Sequence, residues 1–136
     1  MMRPMGLTIR RPNRPEPAIA NAGSVDETWT IPVGVAKALE HLAEPIAVAL
    51  GPGFRVTVGA KPDHGVALIT AQGQSAMAFL RARHPTTLFL VNRNGASQYS
   101  DDAAAHLNAG ADGYIDTAFP VEIAAHLRAL SRRELR

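Results

Sequence analysis

The stretch that decides the fold is Leu107–Leu130, LNAGADGYIDTAFPVEIAAHLRAL. Residues 109–112, Ala-Gly-Ala-Asp, are typical of a turn that ends a helix, because glycine readily adopts the left-handed backbone conformation found there. Gly113–Asp116 (GYID) then predicts a short strand, and Pro120 suits the first turn of a final helix. The stretch therefore predicts a helix, a turn, a strand and a second helix, in that order.

The same alternation of strands and helices extends toward the N-terminus. Runs rich in β-formers predict strands at Glu27–Ile31, Phe54–Ala60, Val66–Ala71 and Thr86–Asn92. Apolar periodicity predicts helices at Val33–Glu44, Gln74–His84 and Ser100–Asn108. This alternation predicts right-handed βαβ units, with a mainly parallel sheet and helices on both of its faces.

Three details of these helices are testable against a structure. Pro45 is expected to stop or kink the helix at Val33–Glu44, and Pro45–Leu50 is ambiguous between a continued helix and a buried strand. The helix at Gln74–His84 is predicted to place its apolar residues, Phe79 among them, inward and Arg81 outward. The final helix is predicted to bury Val121, Ala124, Leu127 and Leu130.

Composition narrows the class of protein. The chain has 136 residues, of which 46% are hydrophobic and 19% charged, values typical of one folded domain. It contains no cysteine, which excludes disulfide scaffolds, thiolate zinc sites and cysteine nucleophiles. No apolar run approaches the ~18 residues that a membrane span needs, so we expect no membrane association and a cytoplasmic location.

The N-terminal residues differ in composition from the rest of the chain. Residues 1–24 hold four of the ten prolines, and residues 1–16 carry four arginines against one glutamate, a net charge of +3. We therefore predict an arm at residues 1–24 and a domain at residues 25–136. The arm is interpreted as a solubilising leader or a strap on the domain, since four arginines without aromatic partners are a weak signal for nucleic-acid binding.

Leu107–Leu130 resembles the end of the receiver domain of bacterial response regulators, in which an Ala-Gly-Ala-Asp turn precedes the fifth strand. A Lys-Pro-Phe motif and an arginine-containing helix follow that strand in the family. Phe79–Pro85 (FLRARHP) also resembles the family's third helix. The resemblance covers residues 66–133 and is poor across residues 26–65, where the second helix is reduced to a loop. It implies a three-layer α/β sandwich with a mainly parallel, flavodoxin-like sheet.

The resemblance also implies where phosphoryl chemistry would take place. Receivers carry an acidic pair that binds Mg²⁺, an aspartate nucleophile after the third strand, a hydroxyl after the fourth strand and a lysine after the fifth. In this chain Thr70 falls at the nucleophile position, Asn92 at the hydroxyl position and Thr117 at the lysine position, and no acidic pair follows a first strand. We therefore predict a degenerate receiver that is not phosphorylated in the usual way and uses no metal or cofactor.

The resemblance further implies a surface for protein partners, formed in receivers by the fourth helix, fifth strand and fifth helix. The matching residues here are Asp102, His106, Tyr114, Glu122, His126 and Arg128. We predict that the last two helices and last strand bind a partner protein or a second copy of the chain, and that the protein is a regulatory module rather than an enzyme.

Two other classes of function stay open. A nucleic-acid accessory protein would use the arginine-rich arm, and its weak binding would depend steeply on salt. A small α/β enzyme would have its site at the carboxyl ends of the strands, in a deep pocket with a perturbed Asp or His. The five histidines do not support a metal site, because no two of them have the i, i+3 or i+4 spacing of helical ligand pairs.

Overall fold

The domain is built on one parallel sheet with helices on both faces. This computed structural model describes residues 30–93 and 103–134. The strands are β1 (Ile31–Val35), β2 (Phe54–Val58), β3 (Val66–Thr70), β4 (Leu88–Asn92) and β5 (Gly113–Ile115). The helices are α1 (Ala43–Leu50), α2 (Gln74–Arg83), α3 (Ala103–Asn108) and α4 (Pro120–Glu134), and a 3-10 helix at Lys37–Leu42 precedes α1.

The strand order is β2-β1-β3-β4-β5, and every pairing is parallel. This topology confirms the predicted three-layer fold class. The predicted boundary between an arm at residues 1–24 and the domain lies outside the described residues. From Ile31 onward, the described residues belong to a compact unit spanning Ile31–Arg136.

The two faces of the sheet bury separate apolar clusters. Successive residues of a strand point to opposite faces, so Val66 and Leu68 of β3 join one cluster while Ala67 and Ile69 join the other. The first cluster is completed by α1 and α4, through residues such as Ile46, Leu50, Ile123 and Leu127. The second is completed by Met77 and Leu80 of α2 and by the turn after α3. A strand buried on both faces reads as a continuous apolar run, as β3 does.

The first strand extends further along the chain than predicted, and the predicted helix start at Val33 was wrong. The last residue of the predicted strand, Ile31, begins β1, whereas residues 27–29 lie outside the described residues. β1 has the sequence IPVGV and occupies the start of the predicted helix Val33–Glu44. Val33 and Val35 are buried on the same face of the sheet, which is the spacing of two expected for a strand. Together with Leu39 and Leu42, Val35 also fits a helical spacing, and that periodicity led to the wrong prediction.

Pro32 is accommodated because of where its nitrogen points. The Ile31 N–H donates to the Gly53 carbonyl oxygen beside β2 at 2.9 Å, so the nitrogen of the next residue faces β3. Pairing between β1 and β3 begins only at Val33. The missing N–H of Pro32 therefore removes no hydrogen bond from the sheet.

Pro45 does not stop a helix, and Pro45–Leu50 is helical. The 3-10 helix has non-helical backbone angles at Leu39, and α1 begins afresh at Ala43. Pro45 therefore lies in the first turn of α1, where the N–H that proline lacks would have no partner within the helix. The prediction of a helix that breaks at Pro45 was therefore wrong. The helix containing Pro45 begins at Ala43, two residues before the proline.

The connection from β2 to β3, Gly59–Gly65, contains no helix, which confirms the predicted departure from the receiver pattern in this part of the chain. Val58 and Leu68 both pair with Val35, so β2 ends only two residues beyond the level at which β3 begins. The chain must cross two strand spacings and return about 7 Å, a distance of roughly 12 Å in all. A seven-residue loop spans that distance, so no helix is needed to make the return.

This loop lies directly on β1. A Cβ atom at Gly34 would lie 1.8 Å from the Ala60 carbonyl oxygen, so only glycine fits under the loop. The Gly59 N–H donates to the Val35 carbonyl oxygen at 2.7 Å, and the Thr87 hydroxyl donates to the Pro62 carbonyl oxygen at 2.8 Å. The loop thus covers the part of the sheet face that a second helix would otherwise cover.

The Ala-Gly-Ala-Asp turn is fixed by Arg81, the residue predicted to point outward. The Arg81 guanidinium donates to the Gly110 carbonyl oxygen at 3.1 Å and forms a 3.2 Å ion pair with Asp112 Oδ2. Gly110 has a φ of +123°, and a Cβ there would lie 2.6 Å from the Arg81 side chain. Glycine is therefore required both for the backbone conformation and for the close approach of Arg81.

Arg81 also closes the turn between α2 and β4. Its guanidinium donates to the carbonyl oxygens of His84 and Thr87 and lies 5.0 Å from the centre of the Phe89 ring. Asp112 Oδ2 in turn accepts the Phe89 N–H at 2.8 Å. One partly buried ion pair thereby joins the starts of β4 and β5, and the prediction that Arg81 points outward was wrong.

Two apolar residues predicted to be buried are exposed instead. Phe79 of α2 is 60% exposed, with the Arg83 guanidinium 5.3 Å from its ring centre, and Val121 of α4 is 70% exposed. In α4 the inward position next to Ala124 is taken by Ile123. The final helix buries Ala124, Leu127 and Leu130 as predicted.

Candidate functional site

Thr70, Asn92 and Thr117 converge at the carboxyl edge of the sheet. Thr70 ends β3 and pairs in register with Asn92, which ends β4. Asn92 in turn pairs with Ile115, the last residue of β5, and Thr117 follows two residues later. Parallel strands bring their carboxyl ends to one edge, so the three positions singled out in the sequence lie at or just beyond the ends of adjacent strands.

Asn92 connects β4 to the segment after β5. Its side chain is fully buried, Nδ2 donates to the Thr117 carbonyl oxygen at 2.9 Å, and Oδ1 accepts the Thr117 N–H at 3.5 Å. The Thr117 hydroxyl accepts the Phe119 N–H at 3.1 Å. Asn92 and Thr117, which were predicted for the hydroxyl and lysine positions, therefore hold the backbone of the β5–α4 connection.

Thr70 is buried, and its hydroxyl oxygen accepts a hydrogen bond from Gln72 Nε2 at 2.7 Å. Asn92 and Thr117 each have a charged neighbour in the sequence, Arg93 and Asp116. The side chains of these two neighbours are both substantially exposed and 3.6 Å apart. Within residues 30–93 and 103–134, no three His, Cys, Asp or Glu side chains are grouped so that they could hold a metal ion. The three strand-end residues offer hydroxyl and amide groups, which form hydrogen bonds but lack the negative charge of an acyl-phosphate acceptor.

A pocket with a volume of about 220 Å³ lies next to Thr70. It is bounded by the β2–β3 loop, the end of β3, α2 and His106 of α3. His106 Nε2 accepts the Gly73 N–H at 3.1 Å, which joins α3 to the start of α2. This acceptor role requires that Nε2 carry no proton, so the hydrogen bond selects the tautomer protonated at Nδ1.

No protein-family model matches the chain, and no curated protein matches it. Solved structures do match. An orphan response regulator from H. pylori is 17% identical, with a TM-score of 0.59 over 79% of this chain and 98% of that one. A pilus assembly-related protein from Burkholderia pseudomallei is 18% identical, with a TM-score of 0.57 over 77% of this chain and 92% of that one. The domain has the receiver fold.

Another receiver-fold match is an atypical orphan response regulator described as revealing a phosphorylation-independent regulatory mechanism. It is 17% identical, with a TM-score of 0.53 over 75% of this chain and 96% of that one. By the order of elements along the chain, α1 and α4 take the places of the first and fifth helices of this fold, and α2 and α3 those of the third and fourth. None of the helices described here is long and apolar enough to cross a membrane.

The residues predicted for the interaction face of this receiver fold occupy different environments. Glu122 and His126 are exposed on α4, one turn apart, and Tyr114 is half-buried on β5. Arg128 is half-buried and donates to the Ala49 carbonyl oxygen of α1 at 3.2 Å, so its side chain is directed toward α1. Asp102 lies outside the described residues.

His106 is the largest departure from the predicted face. It is only 2% exposed, and its ring centre lies 5.4 Å from that of Tyr114, so it packs beneath the surface instead of forming it. The neighbouring Leu107 is 44% exposed and takes the outward position on α3. The sequence AAAHLN of α3 has no apolar stripe, so periodicity alone could not show which of the two residues points inward.

Two apolar residues near this face are exposed, although their exposure was not predicted from the sequence. Phe119 is 68% exposed in the β5–α4 connection, and Val121 is 70% exposed in the first turn of α4. Both follow Thr117 closely, and the Phe119 N–H is held by the Thr117 hydroxyl. We define the α3–β5–α4 surface as the residues Leu107, Tyr114, Phe119, Val121, Glu122 and His126.

Proposed function

We propose that the chain is a receiver-like regulatory module that works without phosphorylation, through protein–protein contacts on the α3–β5–α4 surface. The observation that carries the proposal is the carboxyl edge itself. The positions that would hold and neutralise a phosphoryl group carry Thr70, Asn92 and Thr117, and their polar groups are engaged in hydrogen bonds within the domain.

The charged groups that phosphoryl transfer needs are missing at each of the corresponding receiver positions. An aspartyl phosphate requires a carboxylate to form the mixed anhydride, oxygen ligands for Mg²⁺ and a cation to neutralise the product. Val35 and Ala36 follow one another where β1 ends, and neither can bind a cation through its side chain. Replacing one of these charged groups would weaken phosphoryl transfer. Replacing all of them leaves no group to accept the phosphoryl group, to bind Mg²⁺ or to neutralise the product.

The exposed side chains of the α3–β5–α4 surface support a contact with another protein. Phe119 and Val121 are large apolar residues, and each leaves more than two thirds of its surface in solvent. Glu122 and His126 provide a polar rim beside them. Apolar anchors surrounded by polar groups are typical of protein interfaces, and a second copy of this chain is the partner that we propose.

Phosphorylation is tested by incubating the full-length protein with acetyl phosphate and Mg²⁺ and measuring its intact mass. A receiver with a complete acidic site serves as the positive control. We expect no phosphoryl adduct on this protein. An adduct that hydroxylamine removes would identify an acyl phosphate and contradict the proposal.

The surface is tested by light scattering and sedimentation over a range of protein concentrations. We expect a concentration-dependent dimer that is lost in a Phe119→Ser, Val121→Ser variant. Phe79→Ser is the matched control, because Phe79 is similarly exposed but lies on α2, away from this surface. A dimer that survives the double substitution, or that Phe79→Ser abolishes, would place the contact elsewhere.

A further inference from the structure

The pocket beside Thr70 lies where the receiver's second helix is missing. The β2–β3 loop covers Gly34 and supplies Lys61 to the pocket rim. Ile69, Met77 and Leu80 line the interior, and Ala76 lies on the α2 wall. Pockets for drug-sized ligands measure about 300–1,000 Å³, so a space of about 220 Å³ suits a smaller molecule.

The charge of the lining is one-sided. Among the lining residues that the structure describes, Lys61 carries the charge and none is a carboxylate. In the part of the chain that the structure describes, the ion pairs join Lys37, Arg81, Arg93 and Arg133 to acids, and none involves Lys61. Lys61 is half-buried, which strengthens its attraction for an anion compared with a fully exposed ammonium group.

We propose that this pocket binds a small organic acid with an apolar body. The apolar part would lie against Ile69, Met77 and Leu80, and the acidic group would pair with the Lys61 ammonium. This inference goes beyond the proposed function, because binding here does not depend on whether the α3–β5–α4 surface contacts another protein.

The N-terminal arm does not match this pocket in charge. Residues 1–16 carry four arginines and a single glutamate, so the arm would bring net positive charge to a rim that already carries Lys61. A small anion compensates that charge, whereas the arm would add to it. Charge complementarity therefore favours an acidic molecule over this segment of the chain.

Octanoate is the probe, and the full-length ¹⁵N-labelled protein is titrated with it and followed by NMR. Octanamide and octylamine have matched apolar chains with a neutral and a cationic head. We expect saturable shifts for octanoate in the amides of Ile69, Gly73, Ala76 and Leu80, with an affinity about tenfold higher than for octanamide. Octylamine should bind more weakly than either.

Lys61→Met tests the ammonium group while keeping an apolar side chain of similar length. We expect it to lower the octanoate affinity about tenfold and to leave octanamide binding unchanged. Lys37→Met is the matched control, because Lys37 is the chain's other lysine, is exposed and pairs with Glu40 at 3.1 Å.

Ala76→Phe fills the pocket and should abolish binding of both probes, octanoate and octanamide. Thermal unfolding is used to confirm that each variant is folded.

Several outcomes would overturn the inference. Equal affinities for octanoate and octanamide would remove the role of charge, and an equal loss in Lys37→Met would make the effect nonspecific. Shifts that map away from the pocket would place the site elsewhere. An absence of saturable shifts, as expected if the arm or a second copy fills the pocket, would exclude a small-acid site. Because these readouts are independent of dimerisation, they separate this inference from the proposed function.

Discussion

At the amino edge of the sheet, Arg81 and Asp112 form a partly buried ion pair that holds three segments of the chain together. At the carboxyl edge, Asn92 and two threonines hold the strand ends with neutral groups. The amino-edge pair joins the α2–β4 turn, the Ala-Gly-Ala-Asp turn and the Phe89 backbone. Within the described residues, the hydrogen bonds of the carboxyl edge hold the β5–α4 connection and the Thr70–Gln72 turn. Among the described residues, the partly buried ion pair of Arg81 and Asp112 therefore serves the fold, while Thr70, Asn92 and Thr117 at the carboxyl edge carry no charge.

Arg81→Met should cause the largest loss of stability. It removes the guanidinium that four acceptors share and leaves the Asp112 carboxylate, whose side chain is 16% exposed, without its closest cation. We expect the free energy of unfolding, measured by urea denaturation, to fall by about 3 kcal/mol. Arg83→Met is the control and should cost about 0.5 kcal/mol, since Arg83 is exposed and lies over the Phe79 ring. Similar losses in both variants would show that the amino-edge pair has no special role.

Gly34→Ala should have the next largest effect, because its Cβ would collide with the Ala60 carbonyl oxygen at 1.8 Å. The β2–β3 loop would have to move off β1, at a cost of about 2 kcal/mol in the same assay. Gly53→Ala is the matched control, since nothing lies within 4 Å of a Cβ there. A Gly34→Ala variant as stable as the wild type would mean that the loop does not rest on β1.

Asn92→Ala tests how firmly the carboxyl edge is held. The substitution removes both hydrogen bonds to the Thr117 backbone from a fully buried site. We expect a loss of about 1.5 kcal/mol, smaller than for Arg81 because no charge is left behind. Asn108→Ala, at the exposed end of α3, should change stability by less than about 0.5 kcal/mol. A loss for Asn92→Ala that exceeds the Arg81→Met loss would reverse the comparison between the two edges.

Thr70→Val should have the smallest effect. Its hydroxyl accepts one hydrogen bond from Gln72, an exposed side chain that can return to water. We expect the free energy of unfolding to change by less than about 0.5 kcal/mol. The acetyl phosphate reaction should be unaffected, because the hydroxyl is not an acyl-phosphate acceptor. A loss above about 1.5 kcal/mol would show that Thr70 holds the end of β3.

The regular elements were predictable where local pattern and tertiary environment agree. β3 and β4 are continuous apolar runs, and the Ala-Gly-Ala-Asp turn, β5 and α4 follow in the predicted order. β1 was not predictable because Pro32 and Gly34 are typical strand breakers. Pro32 is tolerated because the pairing of β1 with β3 begins only at Val33. Gly34 is tolerated because the β2–β3 loop crosses directly above it. Neither contact can be predicted from the local sequence.

The sequence was sufficient to place the candidate residues at strand ends, whereas their contacts were not predictable and their assignment to receiver site positions stays a prediction. The resemblance placed Thr70, Asn92 and Thr117 at adjacent strand ends, where the structure has them. It placed His106 on a surface, whereas the structure buries it against Gly73 and Tyr114. The pocket was not anticipated, because its walls come from segments far apart in the sequence, Lys61 in a loop and Leu80 in α2.

The close approach at Gly34 makes that residue a marker for loop length. Residue 34 can acquire a side chain only if the β2–β3 connection rises away from the sheet, as a helical connection would. A shortened connection and a glycine one residue before the end of the first strand must therefore change together during evolution. The pair of features, Gly34 with Gly59–Gly65, gives a criterion for recognising other chains that have lost the same helix.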